Sequence, residues 1–177
     1  MKVLGIVGSP RKDGNSAYLL DNLLEELNDS FETEAIYLKD YEINPCKECY
    51  YCVKNEKCSI EDGMQEIYPK LKETDVIVLS SPIFMGGITS RLRAFMERTW
   101  HLRKGQLKGK LGTYILVGRR DMGAGVFEME EFLSRLQVNK ISGVIGYALH
   151  KHEIQEDKEA LKGISGLKEK ILTSVEG

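Results

Sequence analysis

Several residue types are scarce in this chain, and each scarcity narrows what it can be. Histidine occurs three times in 177 residues, and His101, His150 and His152 have no metal-ligand spacing with any cysteine, so they read as surface residues. Proline occurs four times and never in a run, and there is no low-complexity tract or internal repeat, so no linker or domain boundary is expected within residues 1–177. The single tryptophan, Trp100, sits in the basic run RTWHLRKGQLKGK. One aromatic among basic residues is a weak nucleic-acid signal, and Trp100 is better read as packing at a core or subunit edge. Neither sign of charge prevails, since 25 Lys and Arg stand against 27 Asp and Glu for a net charge of -2. A global attraction to nucleic acid or to an anionic membrane is therefore not expected.

Long apolar runs are also missing. The most apolar stretch, VIVLSSPIFMGGI, is interrupted by Ser, Pro and Gly, and falls short of the roughly 18 uninterrupted apolar residues of a membrane span. The opening MKVLGIVGSPRK has no small-residue cleavage pattern and reads as a first strand rather than a signal peptide. The expected setting is the cytoplasm, where thiols stay reduced. That matters because cysteine is absent everywhere except between Cys46 and Cys58, where there are four. Clustered thiols in a reducing compartment point to metal or redox chemistry rather than to a disulfide framework.

Along the chain, β-branched runs alternate with segments of helical periodicity. Strands are expected at 2–7, 34–38, 75–80, 111–117 and 143–149, and helices at 16–27, 64–71, 92–100, 127–136 and 160–172. Leu19, Leu20, Leu23, Leu24 and Leu27 lie on one face of the first helix. Gly163 and Gly166 weaken the start of the last helix, and the acid-rich EIQEDKEALKG before it reads as solvated. This alternation is that of an α/β fold with a parallel sheet covered on both faces. Residues 39–63 fit no regular element, and a loop of that length inside a domain is usually functional or disordered.

Two loops carry ligand-binding chemistry. GSPRKDGNS, residues 8–16, follows the first strand and runs into the leucine-striped helix, so backbone N–H groups and a helix N-terminus face one point. Ser9, Asn15 and Ser16 add side-chain hydrogen bonds and Arg11 a charge-assisted one, which together describe a phosphate cradle. The Walker and dinucleotide fingerprints are both absent. The alternative is a plain turn with Asn15 or Ser16 as helix cap. The second loop, SSPIFMGGITS at 80–90, ends the third strand and belongs at the same carboxyl edge, where ligands of doubly wound sheets sit. Pro82, Gly86 and Gly87 allow close backbone approach to a flat ligand, and Ile83, Phe84 and Met85 offer apolar surface. A third loop, GRRDMGAG at 118–125, is placed to close the site.

The cysteines follow C-x2-C-x2-C-x5-C: Cys46, Cys49, Cys52 and Cys58. Three thiolates at a repeat of three wrap one side of a cubane, and a fourth closes it, as a [4Fe-4S] cluster requires. Zinc is the competitor, but its sites typically join two C-x-x-C knuckles by a longer connection. Structural or redox-active thiols are the third reading. Pro45, Tyr50 and Tyr51 would either shield a cluster from water or serve as packing or interface residues.

GSPRKDGNS followed by SPIFMGGITSRLRAFMERT resembles the NADPH-dependent FMN reductase branch of the flavodoxin-like folds, and with the cysteine motif it resembles the iron-sulfur flavoproteins of anaerobic archaea and bacteria. The resemblance implies a five-stranded sheet in the order 2-1-3-4-5 with the cysteine-rich segment inserted after the second strand. It implies FMN phosphate on Ser9, Arg11, Asn15 and Ser16, and the ring system against Pro82, Ile83, Phe84, Met85 and Gly86. The family often has tyrosine where this chain has Phe84, which preserves stacking and removes a hydroxyl hydrogen bond. It further implies a homodimer or dimer of dimers exchanging electrons between cluster and FMN, with a ferredoxin-like protein or NAD(P)H as redox partner. A flavin, quinone or nitro-compound reductase with a vestigial cluster and a zinc-bound protein-binding scaffold are the alternatives. Arg119 is a candidate for a flavin oxygen or a nicotinamide phosphate, and Arg120 a weaker one. No acid–base or nucleophilic side chain is required by this chemistry.

Overall fold

The apolar run at the start of the chain forms β1 (Lys2–Val7), and its alternating side chains serve two cores. Leu4 and Ile6 join one face of the sheet, Val3 and Val7 the other. A computed structural model describes residues 1–176. After β1 come α1 (Asn15–Leu27), β2 (Glu32–Tyr37), α2 (Tyr51–Asn55), α3 (Met64–Glu73), β3 (Val76–Pro82), α4 (Ser90–Arg98), β4 (Leu111–Gly118), α5 (Gly125–Arg135), β5 (Asn139–Lys140), β6 (Val144–Tyr147) and α6 (Lys158–Glu176).

All described strand pairings in the sheet are parallel, in the order β2-β1-β3-β4-β5, with β6 also on β4. This is the flavodoxin-like doubly wound order. The fifth position is shared: β5 pairs with Leu111 and Gly112 at the start of β4, and β6 with 115–118 at its end. Helices α1 and α6 cover one face through Leu19, Leu20, Leu23, Leu27, Ile164, Leu167 and Ile171, and α3, α4 and α5 cover the other. Strands β3 and β4 are buried along nearly their whole length, which explains why their sequences are mostly apolar and small rather than alternating with charged residues.

Element boundaries moved in places for identifiable reasons. Helix α4 starts at Ser90 because the Thr89 side chain accepts the Leu92 N–H at 3.3 Å, two residues before the apolar stripe. Asp157 plays the same part for α6, accepting the Ala160 N–H at 2.9 Å, so the helix begins ahead of the expected Ala160. Residues 39–63 are not wholly irregular: a short turn at Leu38–Asp40 and helix α2 lie within or beside them, and Cys52 is on α2. His101 was expected at the surface and is instead 2% exposed, its ring edge-on to Tyr68 at 4.8 Å. A lone polar residue in a basic run gives no sign of the aromatic partner it packs on, and burial now holds its pKa below the ordinary histidine value. Trp100 is partly exposed and stacks on Arg103 at 3.9 Å.

Because Leu20 is fully buried between α1 and the sheet, Leu20→Ala should cost about 2–5 kcal/mol of stability. Urea unfolding should show a lower midpoint at unchanged slope, and an unchanged midpoint would mean that α1 is not packed as described.

Candidate functional site

The carboxyl ends of β1, β3, β4 and β6 open onto one cleft of about 200 Å³, lined by Ser9, Arg11, Asn15, Ser16, Pro82, Ile83, Phe84 and Arg119 among others. Eight of the ten residues read from the sequence as flavin contacts thus converge on one place. Met85 and Gly86 do not line it.

The first loop is folded tightly around the start of α1. Gly8 N–H donates to the Ser80 carbonyl at 2.7 Å, and Thr89 Oγ1 donates to the Gly8 carbonyl at 2.8 Å, so β1, β3 and the start of α4 share one seam. The Arg11 N–H donates to Ser9 Oγ at 3.1 Å. Gly14, not Asn15 or Ser16, occupies the helix-capping position, and it makes no side-chain cap. The first turn of α1 carries no acidic residue, so its N–H groups and positive dipole end are left for another anion. A Cβ on Gly14 would fall 2.6 Å from Ser9 Oγ and would fill the cradle.

Two buried polar atoms here have no hydrogen-bond partner, Ser16 Oγ and Asn15 Oδ1. Such orphans cost roughly 1–3 kcal/mol each when left unsatisfied, and they are what a hydrogen-bonding ligand would repair. Asn15 Nδ2 is already used, donating to the His150 carbonyl at 2.8 Å and tying the loop after β6 to the cradle. Beside it, the Lys151 ammonium pairs with Asp13 and holds that carboxyl below the usual aspartate range. An oxygen-rich anion such as a phosphate therefore fits this end of the cleft.

The second loop turns back on itself. Phe84 and Gly87 exchange backbone hydrogen bonds at 2.9 and 3.1 Å, with Met85 (φ 51°) and Gly86 (φ 78°) as the two central residues. Positive φ at both positions is the signature of a type I′ turn, costless for Gly86 and strained for Met85. The turn is braced from behind: Ala124 N–H donates to the Gly86 carbonyl at 2.7 Å, and Ile88 N–H donates to Glu128 Oε2 at 3.0 Å, with Arg93 on the other carboxylate oxygen. Pro82, Ile83 and Phe84 thereby present a held apolar wall. Met85 is fully exposed at the tip and Phe84 half exposed. Gly118 and Arg119 of the third loop form the opposite rim, and Arg120 is not part of the lining. Val117, Ala148 and Leu149 complete it, and sequence reasoning missed them. Their only signal was position at the ends of β4 and β6, since their residue types are unremarkable.

The cysteine segment lies next to β2 and is fastened to α4. Arg98, only 2% exposed, forms a bidentate pair with Asp62 through Nη1–Oδ2 (2.5 Å) and Nη2–Oδ1 (3.0 Å), and donates to the carbonyls of Asn44 (2.8 Å) and Ile60 (3.2 Å). Asp62 also accepts the N–H groups of Asn44 and Met64, and Gly63 N–H donates to the Glu42 carbonyl at 2.9 Å. Burial works against both charges, but the mutual contact wins, so Arg98 is held above its ordinary pKa and Asp62 below its own. Cys46 N–H donates to Glu97 Oε2 at 3.3 Å.

All four thiols are free. Cys46 and Cys49 are exposed, whereas Cys58 packs against the core. Glu48, Tyr50 and Glu56, between the cysteines, have left-handed backbone; the Glu48 N–H donates to Cys46 Sγ at 3.4 Å and the Glu56 N–H to the Cys52 carbonyl at 3.1 Å. Four cysteine sulfurs are the donor set that an iron-sulfur group takes. The side chains do not converge, however: among the described residues no three Cys, His, Asp or Glu side chains are grouped closely enough to hold a metal ion. A wider groove of about 550 Å³ separates Tyr41, Ile43 and Pro45 from α4, but Arg93 and Glu97 on its wall are already engaged with Glu128 and with Cys46 N–H.

The thiols differ chemically. A hydrogen bond from the Ser59 side (3.3 Å) holds the Cys49 pKa below the usual thiol value, whereas burial, with the neighbouring cysteines, pushes Cys52 up. In reduced, metal-free protein near pH 8, Cys49 should be alkylated by iodoacetamide several-fold faster than Cys52, because the thiolate is the nucleophile. Peptide mapping that found Cys52 modified first would contradict the geometry described.

Comparison with known proteins follows the same lines. The sequence pattern of the NADPH-dependent FMN reductase family matches residues 1–152. An iron-sulfur flavoprotein of Methanocaldococcus jannaschii is 44% identical over 120 residues, which are 67% of this chain and 62% of that protein, so the chain spans less than two thirds of that relative. An iron-sulfur flavoprotein of Archaeoglobus fulgidus is 32% identical over 99% of this chain and 81% of its own length. Among solved structures, RosB with a bound 8-demethyl-8-formylriboflavin-5'-phosphate intermediate superposes with a TM-score of 0.76 at 20% identity, over 96% of this chain and 76% of that one.

Proposed function

The chain belongs to the NADPH-dependent FMN reductase family, in its iron-sulfur flavoprotein group, and on that premise we propose that it is an FMN-dependent oxidoreductase whose cysteine segment carries a [4Fe-4S] cluster exchanging electrons with the flavin. The observation that carries the reading is the cleft itself, where the unpartnered Ser16 hydroxyl and an uncapped helix N-terminus stand opposite a braced apolar loop. A phosphate at one end and a flat ring at the other is what that combination accepts.

When bound, FMN supplies one- and two-electron chemistry, and the cluster supplies single-electron transfer. The side chains bind and shield. The Ser9 and Ser16 hydroxyls and the second Asn15 Nδ2–H donate to phosphate oxygens, and Arg11 adds charge from the exposed side of the loop. Pro82, Ile83 and Phe84 exclude water from one side of the ring, while Met85 and Gly86 set the turn that presents them. Arg119 closes the opposite rim. Cys46, Cys49, Cys52 and Cys58 would be ligands rather than nucleophiles. NAD(P)H or a ferredoxin-like protein serves as redox partner, and the working form is a homodimer or a dimer of dimers. A second reading, a flavin reductase without a working cluster, draws on the separation of the thiols.

Anaerobic purification followed by iron, sulfide and visible-absorption measurements separates the two. FMN with about four irons and sulfides per chain supports the cluster, and FMN without iron after attempted reconstitution leaves the reductase alone. The two halves of the site should also be separable by mutation. Cys49→Ser should abolish iron binding and retain FMN. Combined Arg11→Ala and Ser16→Ala should weaken FMN by about tenfold or more, from the loss of at least one charge-assisted hydrogen bond, and leave iron content unchanged. Loss of both cofactors from either folded variant would contradict this division.

A further inference from the structure

The chain after β6 is fastened across the cleft beside the phosphate loop. Ala148 and Leu149 line the cleft, and the Ala148 N–H donates to the Gly118 carbonyl at 3.0 Å, which ties them to the third loop. The Leu149 and His150 N–H groups both donate to Glu153 Oε2, at 2.6 and 2.7 Å, so one carboxylate stiffens this stretch. His152, in left-handed backbone (φ 69°), makes the bend between them. The phosphate loop is met twice: Asn15 Nδ2 donates to the His150 carbonyl at 2.8 Å, and the Lys151 ammonium pairs with Asp13. Residues 148–152 are thus a strap from the third loop to the start of α1.

Neither tie is needed to hold a phosphate, for which Ser9, Arg11, Ser16 and the helix N-terminus already suffice. The ties bear on what can follow it. A phosphate monoester ends at its three free oxygens, whereas the inner phosphate of a dinucleotide continues through a bridging oxygen into a second group that needs a way out. The strap lies on the flank of the cradle where Asp13 and Asn15 stand. Asp13 is also the sole carboxylate in residues 8–16, and alone it would repel any phosphate, so Lys151 removes a charge that the loop would otherwise set against its ligand.

We infer that residues 148–152 are a specificity strap that ends the cleft at a phosphate monoester such as FMN and turns away a flavin dinucleotide, with the Asp13–Lys151 pair and Glu153 as the contacts that keep it closed. The inference rests on the flavin reading above. The Lys151 and Asp13 side chains are 44% and 54% exposed, so their pair is a weak latch, worth less than about a factor of ten. Glu153 holds two backbone N–H groups on a charged acceptor and is the stronger one.

The test is calorimetric titration of the flavin-freed full chain with riboflavin, FMN and FAD, for the wild type, Lys151→Ala, the double variant Asp13→Ala/Lys151→Ala, and Glu153→Ala. The wild type should bind FMN more tightly than FAD. The double variant opens the latch without changing net charge, and its preference for FMN over FAD should narrow by about threefold or more. Glu153→Ala should narrow it by about tenfold. Lys151→Ala leaves Asp13 bare, so FMN and FAD should both weaken while riboflavin, which has no phosphate, holds. A merely structural role would weaken all three flavins alike and leave their ratios where they were. An unchanged FMN-to-FAD ratio in the double variant overturns the inference, as does a wild type that binds FAD as tightly as FMN, and in both cases the flavin reading stands. If Glu153→Ala fails to fold, the double variant decides. A wild type that binds none of the three overturns the flavin reading, and this inference with it.

Discussion

The cysteine segment owes its place to one buried ion pair. Arg98 and Asp62 are both nearly inaccessible, and each would be costly alone: removing one partner of such a pair leaves an uncompensated charge worth about 3–5 kcal/mol. Together they draw in Asn44, Ile60 and Met64, so that the two ends of the segment are held by the same side chains. Exchange for apolar residues of similar size would fill the space as well. What the charges add is direction, because a bidentate fork fits a carboxylate in one orientation only. The pair is also a linkage device. Asp62 has its pKa lowered by folding, so its contribution is complete above the ordinary aspartate pKa and fades as the pH falls through the lowered folded value.

Helix α4 turns that fastening into a frame. At its first turn Thr89 caps the helix with the same Oγ1 that donates to the Gly8 carbonyl of the phosphate-type loop. At its last turn Arg98 holds the cysteine segment, and Glu97 takes the Cys46 N–H. Between them, Arg93 and Glu128 brace the type I′ turn through the Ile88 N–H. Three segments distant in sequence are thus referred to one short rigid rod. The cleft depends on this, since its apolar wall, Pro82 to Phe84, stands on a loop with little core of its own.

Much of this was legible in the sequence, and the reason differs by element. The parallel sheet was legible because β3 and β4 are buried on both faces and their sequences carry no charged residue and no polar–apolar alternation. Eight of the ten residues read from the sequence line the cleft because the loops after parallel strands all leave the same edge, so motif position was enough. That Met85 stands at the tip of a turn, outside the cleft lining, was not legible, because composition carries no sign of its positive φ. His101 and Arg98 were illegible. Each is a polar residue whose burial depends on partners 33 or more positions away, Tyr68 and Asp62 respectively. The split fifth strand was hidden because Asn139 and Lys140 are exposed and too few to show a period.

The ties at residues 42–44 and 62–63 have a further consequence. Gly63 N–H meets the Glu42 carbonyl, and Asn44 N–H meets Asp62, so the chain enters and leaves the cysteine segment at nearly one point. What lies between is a closed excursion, an appendage whose removal shortens the backbone without stretching it, since joining two ends already in contact costs little loop entropy. The segment is therefore a cassette. Its two ends are tied to each other and, through Arg98, to the last turn of the helix beneath, so the excursion is anchored to the sheet from one side only.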